Sequence, residues 1–169
     1  MLEPEHIQRA AGAATPRASL VLSAGAFGSL SNIWMGGAHS HRGDEIRHEA
    51  LAGCWLIDTA GDMPAEHRAA ALRLIACVFV DTEGVPSPFW RIEQTVADAA
   101  AAARGESGPA PTDIYIVCQH GMNRSGLVTG LLLQELGLPP PDAIGRIRRH
   151  RPGALSNHTF ERLLRHGVE

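Results

Sequence analysis

Short apolar runs bounded by glycine, proline or acidic residues recur along the chain, and between them lie longer stretches in which apolar residues return at helical spacing. The runs Ser19-Leu20-Val21-Leu22, Asn32-Ile33-Trp34-Met35, Cys54-Trp55-Leu56-Ile57 and Ile114-Tyr115-Ile116-Val117 read as strands. Leu74 to Val80 is apolar without interruption, which predicts a strand buried on both faces and ended by Asp81. Helices are predicted from Pro64 through Ala71, where proline suits the first turn, and from Phe89 to Arg104, an alanine-rich tract closed by Gly105. A third runs from Leu127 to Leu136. In a fourth, Ala143, Ile144 and Ile147 share one face and Arg146, Arg148, Arg149 and Arg151 form a solvated one. Asn157 is read as the cap of a last helix, with the positioning of a water as the alternative. Strands alternating with helices predict an α/β fold: one domain, with a central, mostly parallel sheet flanked by helices. Ligands of such sheets gather at the carboxyl ends of strands, where Asp81 and Cys118 fall.

Composition narrows the class. The 169 residues suit one hydrophobic core, with residues 1–18 as a loosely held arm and 19–169 as the folded domain. A net charge of -3 gives no overall basic field for nucleic acid or anionic lipid, and no stretch approaches the ~20 apolar residues of a membrane span. Cys54, Cys77 and Cys118 make neither an even disulfide framework nor a zinc-type pair, which points to the reducing cytosol. Cys54 and Cys77 are expected in the core, with a redox partnership to Cys118 left open. His39, His41 and His48 are read as a solvated loop, so no metal is expected.

The chemistry lies in Val117-Cys118-Gln119-His120-Gly121-Met122-Asn123-Arg124-Ser125-Gly126, which leads from a strand into an apolar helix. Backbone amides of such a loop, residues Gln119 to Asn123, can converge on phosphate oxygens, and the helix dipole adds positive potential there. Gly121 lets the loop curl. The same field favours the thiolate of Cys118, making it a nucleophile. Arg124 can present a two-pronged donor to phosphate, and the hydroxyl of Ser125 can support the sulfur as a leaving group. Expelling an alkoxide or phenolate calls for a carboxylic acid on a loop able to close. Asp81, followed by Thr82-Glu83-Gly84-Val85-Pro86-Ser87-Pro88, fits, with Asp58 at another strand end as the alternative.

Cys118, five intervening residues, Arg124 and Ser125 resemble the signature loop of protein tyrosine and dual-specificity phosphatases, and the short chain favours the dual-specificity branch. The resemblance covers roughly Asn32 to the C-terminus, including Arg151 to Asn157 ahead of a final helix. It implies a dual-specificity-phosphatase-like fold and hydrolysis of phosphotyrosine, phosphoserine or phosphothreonine in proteins, or of small phosphomonoesters, through a cysteinyl-phosphate intermediate. No cofactor is implied, and the acid is implied at Asp81, after the strand one crossover before the nucleophile. The family usually carries histidine immediately before the nucleophile, where this sequence has Val117. Two other readings stay open. His120-Gly121-Met122-Asn123-Arg124-Ser125-Gly126 is similar to the loop of cysteine-type RNA 5′-triphosphatases, the one reading that brings in nucleic acid, and a catalytically weak module could hold phosphorylated ligands. A rhodanese-like sulfur carrier is a more distant comparison.

Overall fold

The computed structural model describes residues 2, 7–8, 17–38 and 45–168. In chain order its elements are β1 (Ile7–Gln8), β2 (Ala18–Leu22), β3 (Asn32–Gly37), β4 (Glu45–Ile46), a 3-10 turn (His48–Leu51), β5 (Cys54–Asp58), α1 (Ala65–Ala70), β6 (Arg73–Ala76), α2 (Phe89–Ala103), β7 (Asp113–Cys118), α3 (Arg124–Glu135), α4 (Pro140–His150) and α5 (His158–His166). Five strands form the main sheet in the order β2-β3-β7-β5-β6, and β1 pairs with β4 in a two-stranded ribbon. Only β2 runs antiparallel to its neighbour in the main sheet; β3, β7, β5 and β6 are mutually parallel.

Strand β7 is the middle strand and is buried along its whole length. Alternation sends Ile114 and Ile116 to one face, where they join Ile33, Met35 and Ile57 beneath α2, α3, α4 and α5. Tyr115 and Val117 point to the other face, where they pack with Trp34, Leu56, Leu51 and Met63. Two apolar layers therefore clamp the sheet, as the run-and-period pattern predicts. At the start of β7, the buried carboxylate of Asp113 accepts hydrogen bonds from the Trp34 indole at 2.9 Å, from Asn32 at 3.0 Å and from the amide of Leu2 at 2.8 Å. Most of the expected arm over residues 1–18 lies outside the described residues; Leu2 itself is buried in the second layer.

Three expectations need correction. The strand expected over Leu74–Val80 is shorter and lies at an edge: only Arg73–Ala76 pair with β5. Apolar residues report that a segment buries something, not on how many sides. With one neighbouring strand, Cys77 and Phe79 turn inward while Val78 and Val80 are 56% and 68% exposed. The amides of Cys77 and Phe79 still donate to the carbonyls of Asp58 and Thr59, at 3.0 and 3.3 Å, so the chain follows the exit of β5 to the carboxyl end of the sheet. The arginines after Ala143 do not form one solvated face. Arg149 is exposed, but Arg148 pairs with Glu161 at 2.8 Å, Arg146 lies over the Phe27 ring, and Arg151 is 2% exposed. Helix α4 ends at His150, so Arg151 leaves the helical period. Finally, Pro64 caps α1 from just outside its first turn.

Candidate active site

Strand β7 delivers Cys118 to the carboxyl end of the sheet, and residues 119–123 turn the chain into α3, whose first residue is Arg124. The turn is tight because of what lies beneath it. In register, Gly36 and Gly37 of β3 stand opposite Val117 and Cys118. Gly121 has φ +73°, and a Cβ there would come within 2.4 Å of the Gly36 backbone. Both the left-handed conformation and the close approach require glycine.

Cys118 is 3% exposed. The amide of Gly121 donates to its sulfur at 3.2 Å, and the hydroxyl of Ser125, itself fully buried, lies 3.2 Å from the same atom. Arg124 donates from one terminal nitrogen to the carbonyl of Phe79 at 3.4 Å, while its Nε is buried and meets no hydrogen-bond partner among the described residues. Gln119 and His120 are exposed on the rim of the loop, and Met122 packs against the helical core with its carbonyl accepting from the Leu155 amide. Val117 is buried in the second layer, and its carbonyl accepts from both the amide and the hydroxyl of Thr59, at 2.8 and 2.7 Å. The loop's base is thus tied to β5 through a backbone acceptor, without a histidine side chain.

The two candidate acids lie in different settings. Asp58 is buried and turned into its own loop, accepting from the amides of Ala60, Gly61 and Met63 at 3.2, 2.9 and 3.3 Å. It is a turn cap. Asp81 is exposed and joined to the loop that holds Cys118: its Oδ2 accepts from Asn123 at 3.1 Å and its Oδ1 from Asn157 at 2.8 Å. Asn157 also donates to the carbonyl of Thr82 at 2.9 Å, and Thr159 to that of Glu83 at 2.6 Å, so the acid loop is docked on the start of α5. The expected cap is present: Oδ1 of Asn157 accepts from the amides of Thr159 and Phe160. Beside this junction lies an open cleft of about 580 Å³ lined by Asp81, Glu83, Asn123, His158 and Arg162 among others.

Sequence reasoning missed Arg151. Its guanidinium reaches beneath the loop that follows Cys118, where Nε donates to the Gly121 carbonyl at 2.7 Å and one terminal nitrogen to the Ser19 hydroxyl at 3.1 Å. The signal available was Pro152, which disfavours helix at the residue before it and so takes Arg151 off the helical face. Beside it, the Arg17 side chain donates to the carbonyls of Gly37 and Ala38. The other cysteines stand apart in character: burial pushes the thiols of Cys54 and Cys77 up from the ordinary range. Cys54 pairs in register with Asp113, at the far end of β7 from Cys118, roughly 16 Å away at strand rise, which is beyond disulfide reach. His39 and His41 lie outside the described residues, and His48 stands beside Glu49 at 3.5 Å. Among the described residues no cluster of three histidine, cysteine or acidic side chains could hold a metal ion, and no helix is long and apolar enough to cross a membrane.

No family model matches the sequence, and no curated protein sequence does. Solved structures do match in fold. Human DUSP28 carrying a single substitution is 20% identical, with 88% of this chain and 92% of that one covered at a TM-score of 0.66. A kinase associated phosphatase, solved with its catalytic-site cysteine replaced by serine, is 16% identical over 87% of this chain and 90% of its own, with a TM-score of 0.63. A human tyrosine phosphatase-like serine/threonine/tyrosine-interacting protein is 13% identical over 78% and 87%, with a TM-score of 0.56. The fold is therefore that of the dual-specificity phosphatases, as the resemblance of residues 118–125 implies.

Proposed function

We propose that the chain is a cysteine-dependent phosphatase acting on phosphomonoesters, with phosphotyrosine, phosphoserine and phosphothreonine in proteins as its substrate class. The fold alone does not separate hydrolysis from binding, since its neighbours include both phosphatases and a phosphatase-like interacting protein. One observation carries the proposal: the Cys118 sulfur sits 3.2 Å from both the Gly121 amide and the Ser125 hydroxyl, at the N-terminus of a 12-residue helix that begins with Arg124. Donors and a helix dipole aimed at one sulfur stabilise negative charge on it, and they suit a phosphate held against it equally well.

In the first step the Cys118 thiolate attacks phosphorus, the bond from phosphorus to the ester oxygen breaks, and Asp81 gives its proton to the departing oxygen. Arg124 and the loop amides of residues 119–123 hold the three non-bridging oxygens, and the buried Nε of Arg124, which meets no partner among the described residues, is a donor available for that work. In the second step water attacks the phosphocysteine, Asp81 takes a proton from that water, and the sulfur leaves as a thiolate supported by the Ser125 hydroxyl. The docking of Asp81 beside Asn123 supports it over Asp58, whose carboxylate is engaged by three amides of its own turn.

The test is a comparison of kcat/KM on a phosphotyrosine peptide, a phosphothreonine peptide, nitrophenyl phosphate and a 5′-triphosphate RNA, for wild type, Cys118→Ser and Asp81→Asn. We expect no turnover by Cys118→Ser with binding of a phosphorylated ligand retained, and full wild-type activity in EDTA. A general acid contributes ~100- to 10,000-fold, more for a more basic leaving group, so Asp81→Asn should slow the phosphothreonine peptide most and nitrophenyl phosphate least. Turnover by Cys118→Ser would refute the cysteine mechanism. Equal rates for wild type and Asp81→Asn on every monoester, with good turnover of triphosphate RNA, would transfer the assignment to RNA 5′-ends.

A further inference from the structure

Two side-chain amides, from segments far apart in the chain, converge on one carboxylate. Asn123 precedes α3 in the catalytic loop, Asn157 precedes α5, and each donates its Nδ2 to a different oxygen of Asp81. The other end of each amide is also committed. Oδ1 of Asn157 accepts the amides of Thr159 and Phe160, and Oδ1 of Asn123 accepts the Ser156 hydroxyl at 3.2 Å and the Asn157 amide at 3.0 Å. Because the acceptor end of each side chain is engaged by donors, the end turned to Asp81 must be the donor. The orientation of both amides is thereby set by the backbone around them.

We propose that Asn123 and Asn157 are positioning residues for the general acid, fixing the Asp81 carboxyl beside the phosphate-binding loop from two sides. The inference rests on the reading of Asp81 as the acid. A carboxyl on an exposed loop otherwise samples many rotamers, and proton transfer requires one of them, within hydrogen-bond reach of the leaving oxygen. Asn123 belongs to the same loop as Cys118, so it ties the acid to the nucleophile's own frame. Asn157 holds the carboxyl and the neighbouring Thr82 carbonyl together, and so fixes the direction of the loop as well as the side chain.

The chemistry offers a near-isosteric probe. Asn157→Asp keeps the helix cap, since aspartate caps as well as asparagine, and Asn123→Asp keeps the acceptor for Ser156 and Asn157. Each keeps the acceptor, replaces the donor and sets a second carboxylate against Asp81, a repulsion that turns the carboxyl out of its place. Asp81 is exposed, so that repulsion is screened and thermal stability should fall by no more than a few degrees. With the acid misplaced, kcat/KM on a phosphothreonine peptide should fall at least ~10-fold, a share of the ~100-fold or more a general acid supplies, and nitrophenyl phosphate should change less than ~3-fold. Combining Asn157→Asp with Asp81→Asn should add less than ~2-fold to the loss from Asp81→Asn alone, because residues acting through one group are not additive. Wild-type rates in both asparagine variants, in a protein whose Asp81→Asn form shows the graded loss, would overturn the positioning role and leave the acid in place. Losses equal on both substrates and additive with Asp81→Asn would reduce the two residues to structural supports. An Asp81→Asn protein without leaving-group dependence would remove the acid assignment and this inference together.

Discussion

Replacing Arg151 by methionine should show how much of the proposed phosphate seat is held from behind. Methionine fills much of the same volume and donates nothing. Of the contacts that the guanidinium makes with the described residues, those to Gly121 at 2.7 Å and Ser19 at 3.1 Å are full hydrogen bonds, while those to the carbonyls of His120 and Arg17, at 3.4 Å, are marginal. A bond from a charged donor contributes about 1.5–3 kcal/mol, so two of them amount to roughly 3–6 kcal/mol. Removing a buried charge offsets part of that, leaving a net loss of about 2–4 kcal/mol. For a chain of this length each kcal/mol shifts Tm by about 2–4 °C, which predicts a fall of roughly 5–15 °C by scanning fluorimetry. The Gly121 carbonyl freed by the change belongs to the residue whose amide faces the Cys118 sulfur. Activity measured well below the new Tm should therefore fall by a similar factor on nitrophenyl phosphate and on a phosphothreonine peptide, since the phosphate seat and not the acid is disturbed. Arg151→Lys, which keeps the charge and loses the fork, should lie between wild type and Arg151→Met in Tm. An Arg151→Met protein with Tm within a degree of wild type and undiminished kcat/KM would refute the reasoning, and so would a loss confined to the peptide.

Two further outcomes are expected. Arg124→Lys should lower kcat/KM at least ~100-fold at nearly unchanged Tm, because a point charge cannot replace a two-pronged donor whose contacts strengthen in the transition state; near-normal activity would remove Arg124 from the phosphate clamp. Hydrogen bonds from Arg148 and then Arg165 hold the Glu161 carboxyl down to about 2. A depressed carboxylate adds stability that is complete above its unfolded value of about 4.3 and is lost as pH falls toward the folded one. Its arginine partners are 38% and 40% exposed, so the contribution is screened to about 1 kcal/mol. Wild type should lose more Tm than Glu161→Gln between pH 5 and pH 2, and parallel curves would show that the cluster contributes nothing.

What could be read from the sequence was what is local in it. The candidate loop is one continuous segment whose strand, glycine turn and helix start each leave their own mark, so Cys118, Gly121, Arg124 and Ser125 are legible together. The middle strands are legible because burial on both faces writes an unbroken apolar run. The same rule misreads Leu74–Val80, where inward and outward residues are all apolar and only the number of neighbouring strands separates edge from centre. Contacts that join distant segments leave no periodic trace. Nothing near Asn157 points to Asp81, because one amide serves as a helix cap and as a donor to the acid, and only the first role has a local pattern. Arg151 is hidden by its neighbours: with arginines at 146, 148 and 149 it continues a charged pattern that the helix abandons one residue earlier. The choice between Asp58 and Asp81 rests on which way each carboxylate turns, which two aspartates after apolar runs do not reveal.

The sheet order divides the machinery between regions of unequal resilience. Cys118 hangs from the middle strand, hydrogen-bonded on both sides, whereas Asp81 is exposed on a segment that continues the four-residue edge strand β6, its carboxylate tied among the described residues by two half-buried side-chain amides. Local opening begins at edges and exposed loops and reaches a central strand last. Warming or mild denaturant would thus loosen the loop of Asp81 while the loop of Cys118 is still folded, and the two halves of the candidate site would part before the sheet lost its structure.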